Sequence, residues 1–286
     1  MKVNAYAKIN LGLDVILRRP DGYHEVRMVM QTVGLHDVID VTRTDEAKIS
    51  ITTDSEDIPS GDDNLIYKAA ELIMKEYSLS GGLKIDLTKN IPVAAGLAGG
   101  STDAAATLKA VNALYDLKLP DEELSKLGVR IGADVPYCIR GGTVLCEGIG
   151  EIMTGISPCP KCTVLLAKPR EGMSTAYVYK HLDLTKVTHP DIDGLIRSIE
   201  NGSIKDASHC MGNVLETVTV PELPVIGRIK KTMTDNGATA CLMSGSGPTV
   251  FGLFDGKEAA MAASEELEVS EEGLRLIITD IYNPER

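Results

Sequence analysis

From Val3 to Val15 the chain alternates strictly: Val3, Ala5, Ala7, Ile9, Leu11, Leu13 and Val15 fall on one face, with Asn4, Tyr6, Lys8, Asn10 and Asp14 on the other. A period of two predicts a long half-buried strand. A solvated outer face is the simplest expectation for the polar set, although it is unusually rich in hydrogen-bonding groups. Arg18 to Gly22 carries turn chemistry ending in Asp-Gly, which predicts a hairpin. Its return strand passes through Tyr23, His24 and Glu25 and reaches about Val33. Further strands are expected near 38–41 and 49–52. A polar loop over 54–63 leads to a helix over 64–77, where Leu65, Ala69 and Leu72 keep helical spacing and Asn64 is placed to cap it. Leu83 to Thr88 alternates again as a strand. Ala104, Leu108, Val111 and Tyr115 then form one helical stripe, and Pro120-Asp121 opens a helix that buries Leu124, Leu127 and Ile131.

Strands are expected at 143–146 and 149–154, and the Pro- and Cys-containing turn over 156–161 marks a boundary. That boundary divides the chain into domains of residues 1–157 and 158–286. The second half reads as a strand at 163–168 and helices near 174–181, 191–200, 204–215 and 222–235. Strands at 238–242 and 250–254, one more helix and a last strand at 274–281 complete it. Strands and helices segregate rather than alternate strictly, which predicts an α+β fold in two layers.

The link between the strand ending at Thr88 and the alanine-rich helix holds three glycines among Pro92, Val93, Ala94, Ala95, Gly96, Leu97, Ala98, Gly99, Gly100, Ser101 and Thr102. A strand, a glycine-rich loop and a helix N-terminus together bind phosphate well. Glycine lets the backbone approach closely, and the helix start adds about half a positive charge. No lysine follows Gly100, so this is not a P-loop, and the spacing Gly-x-x-Gly-Gly is not the dinucleotide fingerprint. A tight turn with Ser101, Thr102 or Asp103 capping the helix accounts for the same residues, and the two readings are compatible because both use the free N–H groups. Asp134, in the glycine-bounded turn before Pro136, is either a helix cap or a presented base. A second glycine loop, with Gly245, Ser246 and Gly247, lies between two strands. His24, taken alone, reads as a structural hydrogen-bonder.

Composition changes the picture in two respects. The net charge is −12 over 286 residues, which repels a nucleic-acid backbone and argues against such a partner. Aromatic residues make up 4% with no Trp, so the core must rest on aliphatic side chains. The six cysteines lack disulfide-framework spacing, and Cys159 and Cys162 have no second pair to complete a zinc site, so they read as part of a turn. No apolar run approaches membrane-spanning length and the start lacks a signal peptide's apolar core, so a cytoplasmic setting is expected.

Taken together, the polar strand face with Lys8 and Asn10, the Pro92–Thr102 loop of the form Pro-x-x-x-Gly-Leu-x-Gly-Gly-Ser-Thr, and the Gly245–Gly247 loop occur in the order that resembles the GHMP kinase family over essentially the whole chain. The segments Ala7 to Asp14, Arg19 to His24 and Gly132 to Pro136 most resemble the branch acting on a cytidyl diphosphate sugar alcohol of isoprenoid biosynthesis. Ala98 and Thr102 depart from the plainest loop pattern, and neither removes a needed group.

The resemblance implies a two-domain GHMP kinase fold: a ribosomal-protein-S5-domain-2-like N-terminal domain and a ferredoxin-like C-terminal domain. It implies ATP along Pro92 to Thr102 with Asn64 nearby, and Mg²⁺ held mainly by the nucleotide phosphates with no protein metal ligand. It further implies Asp134 as the base on the substrate's 2-hydroxyl and Lys8 as the cation for the developing negative charge. Tyr23 is expected to stack near the cytosine, His24 to bond it and Asn10 to contact the sugar alcohol. Tyr179, or else Tyr177, is expected to close the cytosine sandwich, and Gly245, Ser246 and Gly247 to approach the diphosphate. The partners implied are the two small molecules alone, without nucleic acid or membrane, for a monomer or weak homodimer. Other kinases of the family, a related decarboxylase, and a non-catalytic nucleotide- or RNA-binding relative are the rival readings. Retention of Lys8 and Asp134 and the net negative charge weigh against the last.

Overall fold

The computed structural model describes residues 1–59 and 61–284. The chain gathers into two compact units, each built from non-contiguous segments. The first comprises residues 1–7, 35–93 and 98–140, the second residues 8–34, 94–97 and 141–286.

Two long strands contribute to both units. They are β1, Lys2–Arg18, and β2, His24–Thr44. The separate strands expected to end at Val33 and to begin at 38 are one continuous strand. Its C-terminal half, Val38 to Thr44, pairs antiparallel with β4, Gly82–Thr88, and its N-terminal half, Val26 to Gln31, pairs with β5, Thr143–Gly148. Continuous pairing on both halves overrides the glycine at position 34.

In the first unit β3, Ile49–Thr53, runs parallel to β4. Helices α1, Leu65–Glu76, α2, Gly99–Leu114, α3, Asp121–Val129, and α4, Val135–Arg140, complete it. Its core joins Ile39, Val41, Leu83 and Ile85 of the strands to Ile66, Ala69 and Ile73 of α1 and to Ala104, Leu108 and Val111 of α2, all fully buried. Small side chains on the shared faces let α1 and α2 approach closely, which suits a core poor in aromatics.

In the second unit β5 pairs with β6, Ile152–Gly155. Turn residues occupy the first part of the strand expected over 149–154. A four-stranded antiparallel sheet in the order β10-β7-β9-β8 comprises β7, Thr163–Lys168, β8, Ala240–Met243, β9, Val250–Phe254, and β10, Arg275–Asp280. Its helices are α5, Thr175–His181, α6, Ile192–Glu200, α7, Ile204–Ser208, α8, Glu216–Glu222, α9, Val225–Asp235, and α10, Lys257–Ser270. The helix expected over 204–215 stops at Ser208 because Leu13 of β1 exchanges backbone hydrogen bonds with Gly212 and Val214. Strand-like bonding there replaces the helical ladder. Among the described residues no helix is long and apolar enough to cross a membrane.

Candidate active site

The polar face of β1 is exposed at Asn4 and half-buried at Tyr6, but from Lys8 to Asp14 it is not solvated. Lys8, Asn10 and Asp14 are only 4%, 1% and 5% exposed, which corrects the simplest expectation for that strand. Within the second unit Lys8 Nζ donates to Asn10 Oδ1 at 2.8 Å and to the Gly96 carbonyl at 2.9 Å. Ser244 Oγ donates to the same carbonyl at 2.9 Å. Among the described residues Lys8 makes no salt bridge, so neutral oxygens alone solvate a buried ammonium. Burying an uncompensated charge is costly, and such a cation favours negative charge placed against it.

The glycine at position 96 is a requirement of the geometry. Its φ is +73°, and a Cβ there would stand 2.2 Å from the Ser244 carbonyl oxygen. Beyond Ser244 the second glycine loop is pinned from below. Asn213 Nδ2 donates to the carbonyls of Met243 and Gly245, both at 2.8 Å. Ser246 Oγ shares a 2.8 Å hydrogen bond with Thr175 Oγ1 at the start of α5. Sequence reasoning missed Asn213, Ser244 and Thr175. Asn213 sits in what read as a helix interior, so only its polarity there was a signal.

α5 also places an aromatic ring beside His24. The Tyr179 and His24 rings lie 5.0 Å apart at 42°. Tyr177 instead rests on His181, 4.0 Å between centroids, and donates to Glu222 at 3.0 Å. Tyr179 therefore faces His24, and Tyr177 is engaged elsewhere. Tyr23 leaves its ring 59% exposed at the hairpin tip. Partial burial, with Arg18 nearby, pushes the His24 imidazole below its usual range. It is neutral near pH 7, with one ring nitrogen donating and the other accepting.

In the first unit the phosphate-type geometry lies at the start of α2. Ala98 occupies the N-cap position in the left-handed region, φ +59°, and supplies no side-chain cap. The orphan amides of the helix's first turn thus lack the usual side-chain acceptor, and the residues fit an anionic phosphate chain. Gly99 and Gly100 let the helix start pack closely on its neighbours: a Cβ on Gly99 would stand 3.2 Å from Ile91 Cγ2 and one on Gly100 3.4 Å from Leu65 Cδ1. Thr102 Oγ1 is turned inward, donating to the Tyr6 carbonyl at 2.8 Å. Asn64 caps α1: its Oδ1 accepts from the Ile66 amide at 2.8 Å and its Nδ2 donates to the Pro59 carbonyl at 2.7 Å.

Asp134 is half-buried just before α4, with its carbonyl accepting from the Cys138 amide at 3.0 Å. The turn lies beside α2, since a Cβ at Gly132 would stand 3.9 Å from Ser101 Oγ. Beneath the α2 N-terminus Lys89 pairs with Asp37 and, at 3.1 Å, with Asp103. Burial, reinforced by Asp37 and opposed by Lys89, pushes the Asp103 carboxyl up to about 8.

Cys159 and Cys162 are buried, and burial raises both thiols, Cys162 to about 12. They are inert core residues near neutral pH. No group of three or more His, Cys, Asp or Glu side chains able to hold a metal occurs among the described residues.

Two family models match in chain order: the N-terminal domain of GHMP kinases over residues 64–142 and the C-terminal domain of GHMP kinases over 181–270. The chain belongs to the GHMP kinase family and has its two-domain fold. It is 51% identical to the 4-diphosphocytidyl-2-C-methyl-D-erythritol kinase of Lachnospira eligens over 285 residues, 99% of each chain. It is 49% identical to the protein of the same name from Caldicellulosiruptor bescii over 270 residues, 94% of each. A crystal structure of a 4-(cytidine 5'-diphospho)-2C-methyl-D-erythritol kinase superposes with a TM-score of 0.85 at 30% identity, covering 99% of this chain and 100% of that one. Homoserine kinase from Cytophaga hutchinsonii shares the fold at 19% identity, with a TM-score of 0.76 and coverage of 97% and 94%.

Proposed function

We propose that this chain is a kinase that transfers a phosphoryl group from ATP to the 2-hydroxyl of 4-diphosphocytidyl-2-C-methyl-D-erythritol, a step of non-mevalonate isoprenoid biosynthesis. The observation that carries the transfer is the buried Lys8 amine, held on Asn10 and the Gly96 carbonyl with no salt bridge among the described residues. The cytidyl specificity is supported by His24 facing Tyr179 and by the names of relatives near 50% identity.

ATP supplies the phosphoryl group, with Mg²⁺ carried mainly by the nucleotide phosphates. Pro92 to Thr102 binds the phosphate chain through backbone N–H groups, Ser101 offers its hydroxyl beside them, and Asn64 borders the site from the α1 N-cap. Asp134 takes the proton from the 2-hydroxyl as that oxygen attacks phosphorus. Lys8 stabilises the charge that develops in the transition state, so positioning and electrostatics supply most of the acceleration. Tyr23 and Tyr179 flank the cytosine, neutral His24 hydrogen-bonds its edge, and Asn10 orients the sugar alcohol. Gly245, Ser246 and Gly247 present the second glycine loop to the diphosphate. The two family models fall on either side of the expected boundary between 157 and 158, although residues 8–34, 94–97 and 141–157 belong to the second compact unit. The enzyme acts in the cytoplasm as a monomer or weak homodimer.

The base is tested by Asp134→Asn. Loss of general-base catalysis lowers kcat by about 10²- to 10⁴-fold, with the KM for ATP little changed. A kcat close to wild type in steady-state kinetics would remove Asp134 from that role.

A further inference from the structure

Three ionisable side chains lie buried together within the first unit: Asp37 on β2, Lys89 just after β4, and Asp103 in the second turn of α2. Their side chains are 0%, 5% and 3% exposed. Lys89 Nζ donates to Asp37 Oδ2, and to Asp103 Oδ2 at 3.1 Å. Asp37 Oδ1 accepts the amides of Asn90 and Ile91 at 2.5 and 2.7 Å. Asp103 Oδ1 is buried and has no hydrogen-bond partner among the described residues.

Such a cluster is poor value as mere core. Burying a Lys–Asp ion pair together with a second carboxyl is expensive, and apolar residues of similar volume commonly give equal or greater stability. Its position offers a reason for it. Asp37 grips the backbone immediately before Pro92, and the Lys89–Asp103 contact grips α2 immediately after Thr102. The ammonium also lies hard against the first residue of α2, since a Cβ on Gly99 would stand 3.0 Å from Lys89 Nζ.

We propose that Asp37, Lys89 and Asp103 are positioning residues for the nucleotide, bracing both ends of the Pro92–Thr102 loop so that the first-turn amides of α2 face the phosphates. The inference rests on the kinase reading above. The brace acts through the loop backbone, so its loss weakens ATP and leaves recognition of the cytidyl group unaffected.

The test compares Mg²⁺-ATP and cytidine diphosphate binding by titration calorimetry, with steady-state kinetics, in Asp103→Ala and Asp103→Asn. Asp103→Ala cuts the tether from Lys89 to α2, and the expected result is about a tenfold rise in Kd and KM for ATP, with cytidine diphosphate affinity unchanged. The Asn side chain keeps an oxygen for Lys89, so Asp103→Asn restores ATP affinity to within about threefold of wild type. Unchanged ATP affinity in Asp103→Ala overturns the proposal, and so does equal weakening of both ligands. Should Asp103→Ala fail to fold, the charge-depleted pair Lys89→Met with Asp103→Leu takes its place, with the same selective loss expected and the same two results overturning it. Wild-type protein that binds no ATP would instead overturn the kinase reading, and this inference with it.

Discussion

Lys8 and Gly96 define each other. The lysine lies buried on the polar side of its strand, and a left-handed glycine turns a carbonyl toward its Nζ at 2.9 Å. Lys8→Met keeps the length and apolar stem but removes the charge. The account predicts a fall in kcat of about 10²- to 10³-fold, as for other electrostatic stabilisers. A change confined to the KM for ATP, measured with the cytidyl substrate saturating, would make Lys8 a binding residue only.

Asp103 makes the stability of the fold depend on pH. Its carboxyl rises to about 8 in the fold, against about 3.9 unfolded, so the folded chain binds the extra proton between those values. Stability from this group is complete below the unfolded value and is lost as pH rises through about 8. Asp103→Asn should therefore flatten the decline in melting temperature between pH 5 and 8.5. An unchanged slope would show that the group titrates normally.

Among the elements, the long strands and the loop leading to α2 were legible because period-two and helical spacing report burial directly. The identity of the buried face was less so. Alternation separated Lys8, Asn10 and Asp14 from the apolar set, but a polar face turned toward a site has the same pattern as one turned toward water. The break after Ser208 and the short helix over 216–222 escaped for another reason. Their ends are set by long-range partners, such as the bonds from Leu13 to Gly212 and Val214, which local spacing does not encode. α5 shows the converse case. Sequence put Tyr179 first and Tyr177 as the alternative, and the two pack differently, Tyr179 beside His24 and Tyr177 on His181 and Glu222. Tyr179→Ala is accordingly expected to raise the KM for the cytidyl substrate about tenfold, a stacking loss of roughly 1–3 kcal/mol, with Tyr177→Ala within about twofold. Equal effects of the two variants on that KM would void the assignment.

At the scale of the whole molecule, the net charge of −12 makes the local arrangement of cations decisive. Lys8 is buried on neutral oxygens in one unit, and Lys89 lies under the α2 N-terminus in the other. Both units are built of segments distant in sequence, and the Pro92–Thr102 loop passes from the first to the second and back. A boundary drawn along the chain cannot express that exchange, although the motif order along the same chain identifies the family. The broad chemistry was therefore readable from three motifs in sequence, whereas their support by Asn213, Ser244, Thr175 and the Asp37–Lys89–Asp103 cluster emerges only in the fold.

The central claim is that this GHMP kinase is specific for the cytidyl sugar alcohol. It is tested most directly by measuring ATP-dependent phosphorylation of 4-diphosphocytidyl-2-C-methyl-D-erythritol, mevalonate, phosphomevalonate and homoserine in parallel with Mg²⁺. The account predicts turnover of the cytidyl compound alone, with one ADP formed per 2-phosphate. Turnover of mevalonate, phosphomevalonate or homoserine in its place would contradict the roles given to Tyr23, His24 and Tyr179.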